Sequence, residues 1–368
     1  MKIKNRLLYC LFAYCLFVCS VSLTACFEDE APTPSQGLKY TLTANGTAYS
    51  VTGIGTCQDA DVIIPNAYND LPVIKIGTAA FHDCTSLTSV VIPDTVTAIG
   101  ASAFYECRNL VRVQVPDAIT EIGDNTFYNC RNLEDAKLPD SVAHIGENAF
   151  YECRALTSFT IPASVSSIEE DAFYGCYRLV EVVNKSSLVM TAGKLDYGHV
   201  SFHALAVYNK DDAFIGTKLS KENGCLVYTD GTEKSLVRYV GEKGKVVLPA
   251  SLTKINSFAF YNDDSITNIV FPDSLTCIGV SSFYECSNLT SVVIGANVNA
   301  VELYAFRDCN NLQKVYYKGT EQQWSAITID GYNTKLTGAT RYYYSENKPT
   351  GSGNYWHYGE NGEIVVWG

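Results

Sequence analysis

Charge is what this sequence has least of for its length. Only 18% of its 368 residues are Asp, Glu, Lys or Arg, while 47% are apolar. That composition excludes a disordered chain, which needs few apolar and many charged residues. Positive charge is the scarcer sign: 27 Lys and Arg against 39 Asp and Glu give a formal charge of −12. Such a balance repels phosphate backbones and argues against a nucleic-acid partner. Catalytic signatures are missing too. No GxSxG surrounds a serine, and no GxxxxGK[ST], HExxH or CxxC occurs, so the nucleophile elbow, the phosphate loop and the common zinc frameworks have no sequence support. No catalytic residue, cofactor or metal site is assigned.

What is present begins with an address. Met1 to Arg6 carries Lys2, Lys4 and Arg6, Leu7 to Val21 is apolar, and Leu23-Thr24-Ala25-Cys26 follows. A basic start, a short apolar middle and small residues before a cut describe a secretory signal. Leu-Thr-Ala-Cys resembles the bacterial lipobox, which implies cleavage before Cys26 and a lipid on that cysteine. An uncleaved anchor is the competing reading, since about 20 uncharged residues just span a bilayer. Losing the signal would take the formal charge to −15. Phe27-Glu28-Asp29-Glu30, then Ala31 to Gly37, read as an acidic and Pro-rich tether. An acidic cluster directly after the lipidated cysteine resembles the surface-export signal of Bacteroidetes lipoproteins, which implies outward display.

A 23-residue period organises the rest. Phe81, Phe104, Phe127, Phe150 and Phe173 are 23 apart, and so are Phe260, Phe283 and Phe306. Three residues later stand Cys84, Cys107, Cys130, Cys153, Cys176, Asp263, Cys286 and Cys309; three further on, Leu87, Leu110, Leu133, Leu156, Leu179, Ile266, Leu289 and Leu312. Pro93, Pro116, Pro139, Pro162 and Pro272 follow, then pairs such as Ile99-Gly100 and Ile122-Gly123. Within Leu87 to Ile92, Val90 and Ile92 alternate with Ser89 and Val91, the period-2 mark of a short strand. Pro93 ends it, having no N–H for a ladder. Val96 to Ile99 reads as a second extended run, Gly100 as a tight turn with positive φ, and Ala103 to Cys107 as one helical or 3₁₀ turn that points Phe104 and Cys107 inward. One such coil cannot bury its apolar side chains alone, so neighbours must stack about 4.8 Å apart.

These residues predict a β-rich repeat solenoid with short parallel strands and short helical or 3₁₀ turns. The pattern Ile92-Pro93-x-x-Val96-x-x-Ile99-Gly100-x-x-Ala103-Phe104-x-x-Cys107-x-x-Leu110 resembles the BspA-type leucine-rich repeat of bacterial surfaces. Thr52 to Cys57 with Val62 to Pro65 resembles that family's entry segment, and Tyr317-Lys318-Gly319-Thr320 with Trp324 its exit. The resemblance covers about residues 38 to 345 and implies an extracellular binding or adhesion role, without a chemistry.

The period breaks where Phe173 and Phe260 stand 87 apart. Gly224 to Val240 reads as a hairpin turning at Asp230-Gly231, and Val246 to Pro249 re-enters the repeat, so a structured insertion or degenerate coils within one continuous solenoid are expected. Asn354 to Gly368 reads as a hairpin turning at Asn361-Gly362, whose tryptophans would cap the open end of the core. The organisation is then 1–25 signal, 26–37 tether, 38–80 entry segment, 81–183 repeats, 184–245 insertion, 246–345 repeats and exit, and 346–368 linker and hairpin.

Side-chain clusters are weighed against the repeat that places them. The corner cysteines would lie about 5 Å apart, within disulfide reach. They read as small fillers beside Phe rather than metal or redox groups, because Asp263 takes the same slot. Cys57, Cys225 and Cys277 fall outside the register. His199 and His203 share a face only if they lie on a helix, and Gly198, Val200 and Phe202 suggest a strand as readily. Two surfaces remain for binding. The outward strand positions Arg112, Gln114, Asp135, Lys137, Ser158, Thr160, Glu181, Asn268, Ser291, Lys314 and Tyr316, with Ser89, Val91, Val183, Val270 and Val293 beside them, vary while their inward neighbours stay apolar. The second surface is an aromatic stripe, Tyr105, Tyr128, Tyr151, Tyr174, Tyr261 and Tyr284, which either grips a ligand or forms a ladder of packed rings. The leading expectation is a non-catalytic, lipid-anchored surface protein that binds a host matrix protein or another bacterium. The alternative is an envelope scaffold or a glycan-binding accessory protein of a nutrient-capture complex. An enzyme seated in the insertion ranks third.

Overall fold

The computed structural model describes residues 33–242, 244 and 246–367. The signal, Cys26 and the acidic part of the tether lie outside the described residues. After an antiparallel entry pair, Lys39–Leu42 with Tyr49–Gly53, most of the 23-residue coils contribute one short strand to each of two walls. Strands Asp61–Ile63, Ser89–Val91, Arg112–Gln114 and Asp135–Lys137 pair in parallel, with Val90 opposite Val113 and Ala136 opposite Val113 on the other side. Ser158–Ile161, Glu181–Asn184 and Ala206–Tyr208 continue that wall as a separate sheet. The second wall is built of two-residue strands such as Glu121–Ile122, His144–Ile145 and Ser167–Ile168. Alternation works as read: Val90 and Val113 are buried, while Val91, Arg112 and Gln114 face water.

The corner carrying Phe is a run of successive turns and not a helix. N–H groups of Ala103, Tyr105 and Cys107 donate three residues back, to Gly100, Ser102 and Phe104, at 3.1–3.2 Å. These are bonds of 3₁₀ type. The groups between them, on Ser102, Phe104 and Glu106, donate instead to the carbonyls of Asp124, Thr126 and Tyr128 in the next coil, at 2.8–2.9 Å. The alternation is possible because Ser102 (φ 56°) and Glu106 (φ 60°) take the left-handed conformation. That conformation suits Asn and Asp better than most residues, and Asn125, Asn129, Asn148 and Asp171 fill the same slots in later coils. Gly100 corrects the reading of a positive-φ glycine, because the left-handed turn falls two residues later. A Cβ at Gly100 would lie 2.5 Å from the backbone nitrogen of Thr78. Glycine is required there so that adjacent coils can touch.

The expectation of one continuous solenoid with a shared interior is also corrected. Residues 184–208 form a longer coil, with Val183 opposite Tyr208, and the parallel wall stops at that strand. A new ladder then starts from the hairpin Cys225–Asp230 and Glu233–Tyr239, turning at Gly231 (φ 59°), onto which Lys254–Ile255, Cys277–Ile278, Ala300–Val301 and Thr328–Ile329 stack. The apolar core is divided accordingly: one cluster runs from Leu38 to Ala204, the other from Cys225 to Leu336. Two solenoid segments therefore meet at a junction.

Nor do the terminal tryptophans cap the core. Trp324, Ile327 and Leu336 of the exit segment, on or beside the short helices Glu321–Ser325 and Thr334–Gly338, close its end. Trp356, on strand Tyr355–Tyr358, packs with Val293 and Tyr316 outside the wall, and its indole N–H donates to the Tyr317 carbonyl at 3.1 Å. The hairpin runs parallel to the preceding strand, so its side chains fall on the wall's outer side instead of over the open end.

Candidate binding surfaces

The outward strand positions divide into bare and covered ones. Arg112, Gln114, Lys137, Ser158 and Thr160 are exposed and Asp135 is half-buried. None of the six forms a side-chain hydrogen bond or ion pair with the protein among the described residues. They make a grid on a stiff sheet, with Arg112 beside Asp135 and Gln114 beside Lys137 on adjacent strands. Farther along, Glu181 leaves the predicted set because it is buried. Its carboxylate accepts the Lys218 N–H at 3.0 Å, and neighbouring Val180 packs with Tyr228 and Val237 of the hairpin. Tyr316 and Val293 leave it too, covered by Trp356. Asn268 and Lys314 stay exposed and Ser291 is half-buried, but Asn268 Oδ1 is already engaged by the Ser291 hydroxyl at 2.7 Å.

The tyrosine stripe has the geometry of a packed ladder. Ring centroids are 4.6 Å apart from His82 to Tyr105 and from Tyr105 to Tyr128, 4.7 Å to Tyr151 and 5.1 Å to Tyr174, all stacked. Tyr261 and Tyr284 stack at 5.3 Å in the second segment. Each face is used on the next ring, so the side chains are half-buried, apart from Tyr174 at 43% exposure. Burial raises the pKa of the Tyr105 and Tyr151 hydroxyls, and repulsion from the neighbouring Tyr128 hydroxyl adds to it.

Beside this ladder run the corner cysteines, and all ten cysteines from Cys57 to Cys309 are free. Every corner thiol with a Phe in the coil beneath donates to that Phe carbonyl: Cys107 to Phe81 at 3.0 Å, Cys130 to Phe104 at 3.1 Å, Cys286 to Phe260 at 3.0 Å and Cys309 to Phe283 at 2.9 Å. Cys84, at the start of the array, points instead to the His82 carbonyl at 3.8 Å. Sequence reasoning missed this donor role, which distinguishes cysteine from alanine as a filler. Asp263 takes the slot where the coil beneath has no such Phe. Burial pushes the Cys309 thiol up to about 12 and Cys107 well up, so the reactive thiolate is disfavoured. The two histidines do not converge on a ligand. Tyr197–His199 is a 3₁₀ turn, neither long helix nor strand. His199 Nδ1 lies 3.1 Å from Asp171 Oδ1 but is misaligned for a hydrogen bond, and His203 packs among the Tyr177, Phe202 and Phe258 rings. Among the described residues no three His, Cys, Asp or Glu side chains are grouped to hold a metal ion.

At the junction, sequence reasoning also missed Arg178. Its guanidinium donates to the carbonyls of Phe258 at 3.0 Å and Ala259 at 3.4 Å. Ala259 is the position whose carbonyl, in a regular coil, receives an N–H from the coil beneath, as Thr126 does from Phe104. Arg178 supplies the missing donor. Burial holds its pKa down at about 10, with the nearby Arg238 contributing. Tyr177 stacks on Phe258 at 4.2 Å, Arg154 lies 5.1 Å over the Tyr261 ring, and Arg238 reaches back to Glu134 at 3.1 Å. The signal for Arg178 was available: its slot holds Asn109 and Asn132 in earlier coils.

The family model for the BspA-type leucine-rich repeat region matches six copies, over residues 71–191 and 241–335. This chain belongs to the BspA-type leucine-rich repeat family. Several solved structures are similar to this BspA-type chain. A leucine-rich repeat protein of T. pallidum is 21% identical, with a TM-score of 0.39 over 77% of this chain and 91% of that one. A leucine-rich cell surface protein of Faecalibacterium prausnitzii is 23% identical, with a TM-score of 0.39 over 82% and 99%. A leucine-rich repeat protein of Bacteroides ovatus is 25% identical, with a TM-score of 0.40 over 78% and 71%. None of the curated proteins matches the chain.

Proposed function

We propose that this BspA-type repeat protein is an exported, lipid-anchored surface protein that binds a protein partner, a host matrix component or a protein on another bacterium, without chemical turnover. One observation carries the reading. Arg112, Gln114, Asp135, Lys137, Ser158 and Thr160 stand outward on rigid strands with their hydrogen-bonding capacity unspent. Their backbone is already ordered in strands, so only the side chains have to be immobilised on binding, and that lowers the cost of forming a protein interface. Mixed charge within the grid selects a partner by complementarity and sets its encounter rate. The lipobox resemblance at Cys26 and the acidic tether supply the membrane link in this reading.

Purified residues 27–368 are to be tested for binding to host matrix proteins and whole bacteria. A partner should bind, and Arg112→Glu with Lys137→Glu should weaken it by about tenfold or more, about 1.4 kcal/mol. Lys314→Glu, on the other segment, should change it less than about twofold. Absence of any partner, or equal binding by all three proteins, would refute the reading. Protease treatment of intact cells tests display separately: removal of the folded part is the expected outcome, and its survival would place it inside.

A further inference from the structure

The C-terminal hairpin builds a cleft that the repeats alone would not have. Strand Tyr355–Tyr358 joins the wall in parallel beside Thr340–Tyr344, with Tyr344 opposite Trp356. The buried Trp356 indole, tied to the Tyr317 carbonyl, anchors it. Tyr344 and Tyr358 each pack against that indole, at 5.2 and 4.9 Å, and remain 37% exposed with their rings 6.2 Å apart. Across from them stand the corners of three successive coils. Asn297 Nδ2 donates to the Asp273 carbonyl at 2.8 Å, and Lys318 Nζ meets Asp273 Oδ1 at 2.7 Å while lying 5.7 Å from the Tyr358 ring centre. With Ala296 these side chains line an open cleft of about 360 Å³, within the range of small-molecule sites, about 300–1,000 Å³.

The lining says what fits. Lys318 and Asp273 neutralise each other, so the cleft does not call for an ion. Ala296 is its only aliphatic residue, which leaves little for a hydrocarbon or an apolar peptide side chain. Two exposed aromatic rings offer flat contact area at low entropic cost. The second Asp273 carboxylate oxygen and the Asn297 side-chain oxygen have no hydrogen-bond partner among the described residues and can accept hydrogen bonds. A molecule with one C–H face and a rim of hydroxyls satisfies both halves. We propose that this cleft binds a neutral saccharide, with one pyranose ring on the Tyr344 and Tyr358 faces and its hydroxyls on Asp273 and Asn297. The site is separate from the Arg112–Thr160 grid, and neither reading depends on the other.

The test uses purified residues 27–368 and a panel of methyl glucoside, methyl galactoside, methyl mannoside, N-acetylglucosamine, cellobiose and lactose, with glucuronate as the charged control. Saturation-transfer NMR and tryptophan fluorescence read binding. At least one neutral sugar should bind saturably in the millimolar range, and Tyr358→Ala and Asn297→Ala should each weaken it about tenfold, while Lys137→Glu leaves it unchanged. Asn297 is exposed and gives up only one surface hydrogen bond, to the Asp273 carbonyl, so its variant should lower the thermal midpoint by no more than a few degrees, and the result then reports on the cleft and not on folding. No saturable binding below about 50 mM, binding of glucuronate alone, or equal binding by wild type and Asn297→Ala would overturn the proposal.

Discussion

The first solenoid segment leaves the outward side of its strands bare from Ser89 to Thr160, whereas the second has Val293 and Tyr316 sealed under Trp356. Both are made from the same coil, with Phe, Cys and Leu in the same slots and the same thiol-to-carbonyl bonds. The difference comes from what is appended. Only the last strands of the first segment are covered, at Val180 and Glu181, by the hairpin that starts the second. The second receives a terminal hairpin over its outer wall. The coil thus sets the inside, and the added hairpins decide which outside remains for a ligand. The two segments also keep separate cores, so their stabilities should be separable, as nearest-neighbour coupling in stacked repeats requires.

The strongest way to break that comparison is to open one core at a time. Phe150 and Phe283 are both fully buried, and replacing either by alanine should cost about 3–5 kcal/mol. Hydrogen exchange should show Phe150→Ala loosening residues 81–204 while residues 252–336 stay within about 0.5 kcal/mol, with Phe283→Ala giving the reverse. Equal loosening of both segments by either change would mean that the two cores act as one. A smaller effect sharpens the picture at the junction. Arg178→Met keeps the stem but leaves the Ala259 carbonyl without a donor among the described residues and the Phe258 carbonyl with only the Tyr261 N–H, a loss of about 1–3 kcal/mol. Protease should then cut the exposed 210–217 connection faster, with each core's exchange little changed. An unaltered cutting rate would remove Arg178 as the latch.

Those two substitutions also mark where the sequence could and could not be read. Phe150 and Phe283 were legible because a core position must recur with the coil, and a 23-residue spacing leaves no other cause. Arg112 and Lys137 were legible as outward by alternation with Val113 and Ala136. Glu181 and Tyr316 obey the same alternation, yet both are buried by segments far along the chain: Glu181 is bonded to the Lys218 N–H beside the Val180–Tyr228–Val237 cluster, and Tyr316 lies under Trp356. Local pattern carries no information about such a cover. An apolar residue at an outward slot, as at Val293, was a hint, but Val91 and Val270 are 52% and 50% exposed in equivalent places. Gly100 failed differently: glycine answers both a positive φ and a close approach, and only the 2.5 Å distance to Thr78 separates them.

The smallest effect concerns pH and should again fall on one side of the molecule. His203 lies at the junction with its ring 5.5 Å from Tyr177 and 5.6 Å from Phe258. Burial, with the His199 charge adding, lowers its pKa from 6.5 to about 4. Between those values the unfolded chain binds the proton and the folded chain does not, so protonation favours unfolding. The stability is therefore complete above pH 6.5 and is lost as pH falls toward 4, by at most about 3 kcal/mol. Urea unfolding at pH 7 and pH 4.5 should show this loss in the wild type and a smaller one in His203→Gln, whose amide carries no charge at either pH. Exchange at pH 4.5 should quicken first around residues 197–208 and not in the second segment, where the described histidine, His357, stacks on Trp367 at 3.8 Å near the terminal edge. If His203→Gln loses as much stability as the wild type, carboxylates carry the acid sensitivity and the asymmetry between the segments disappears.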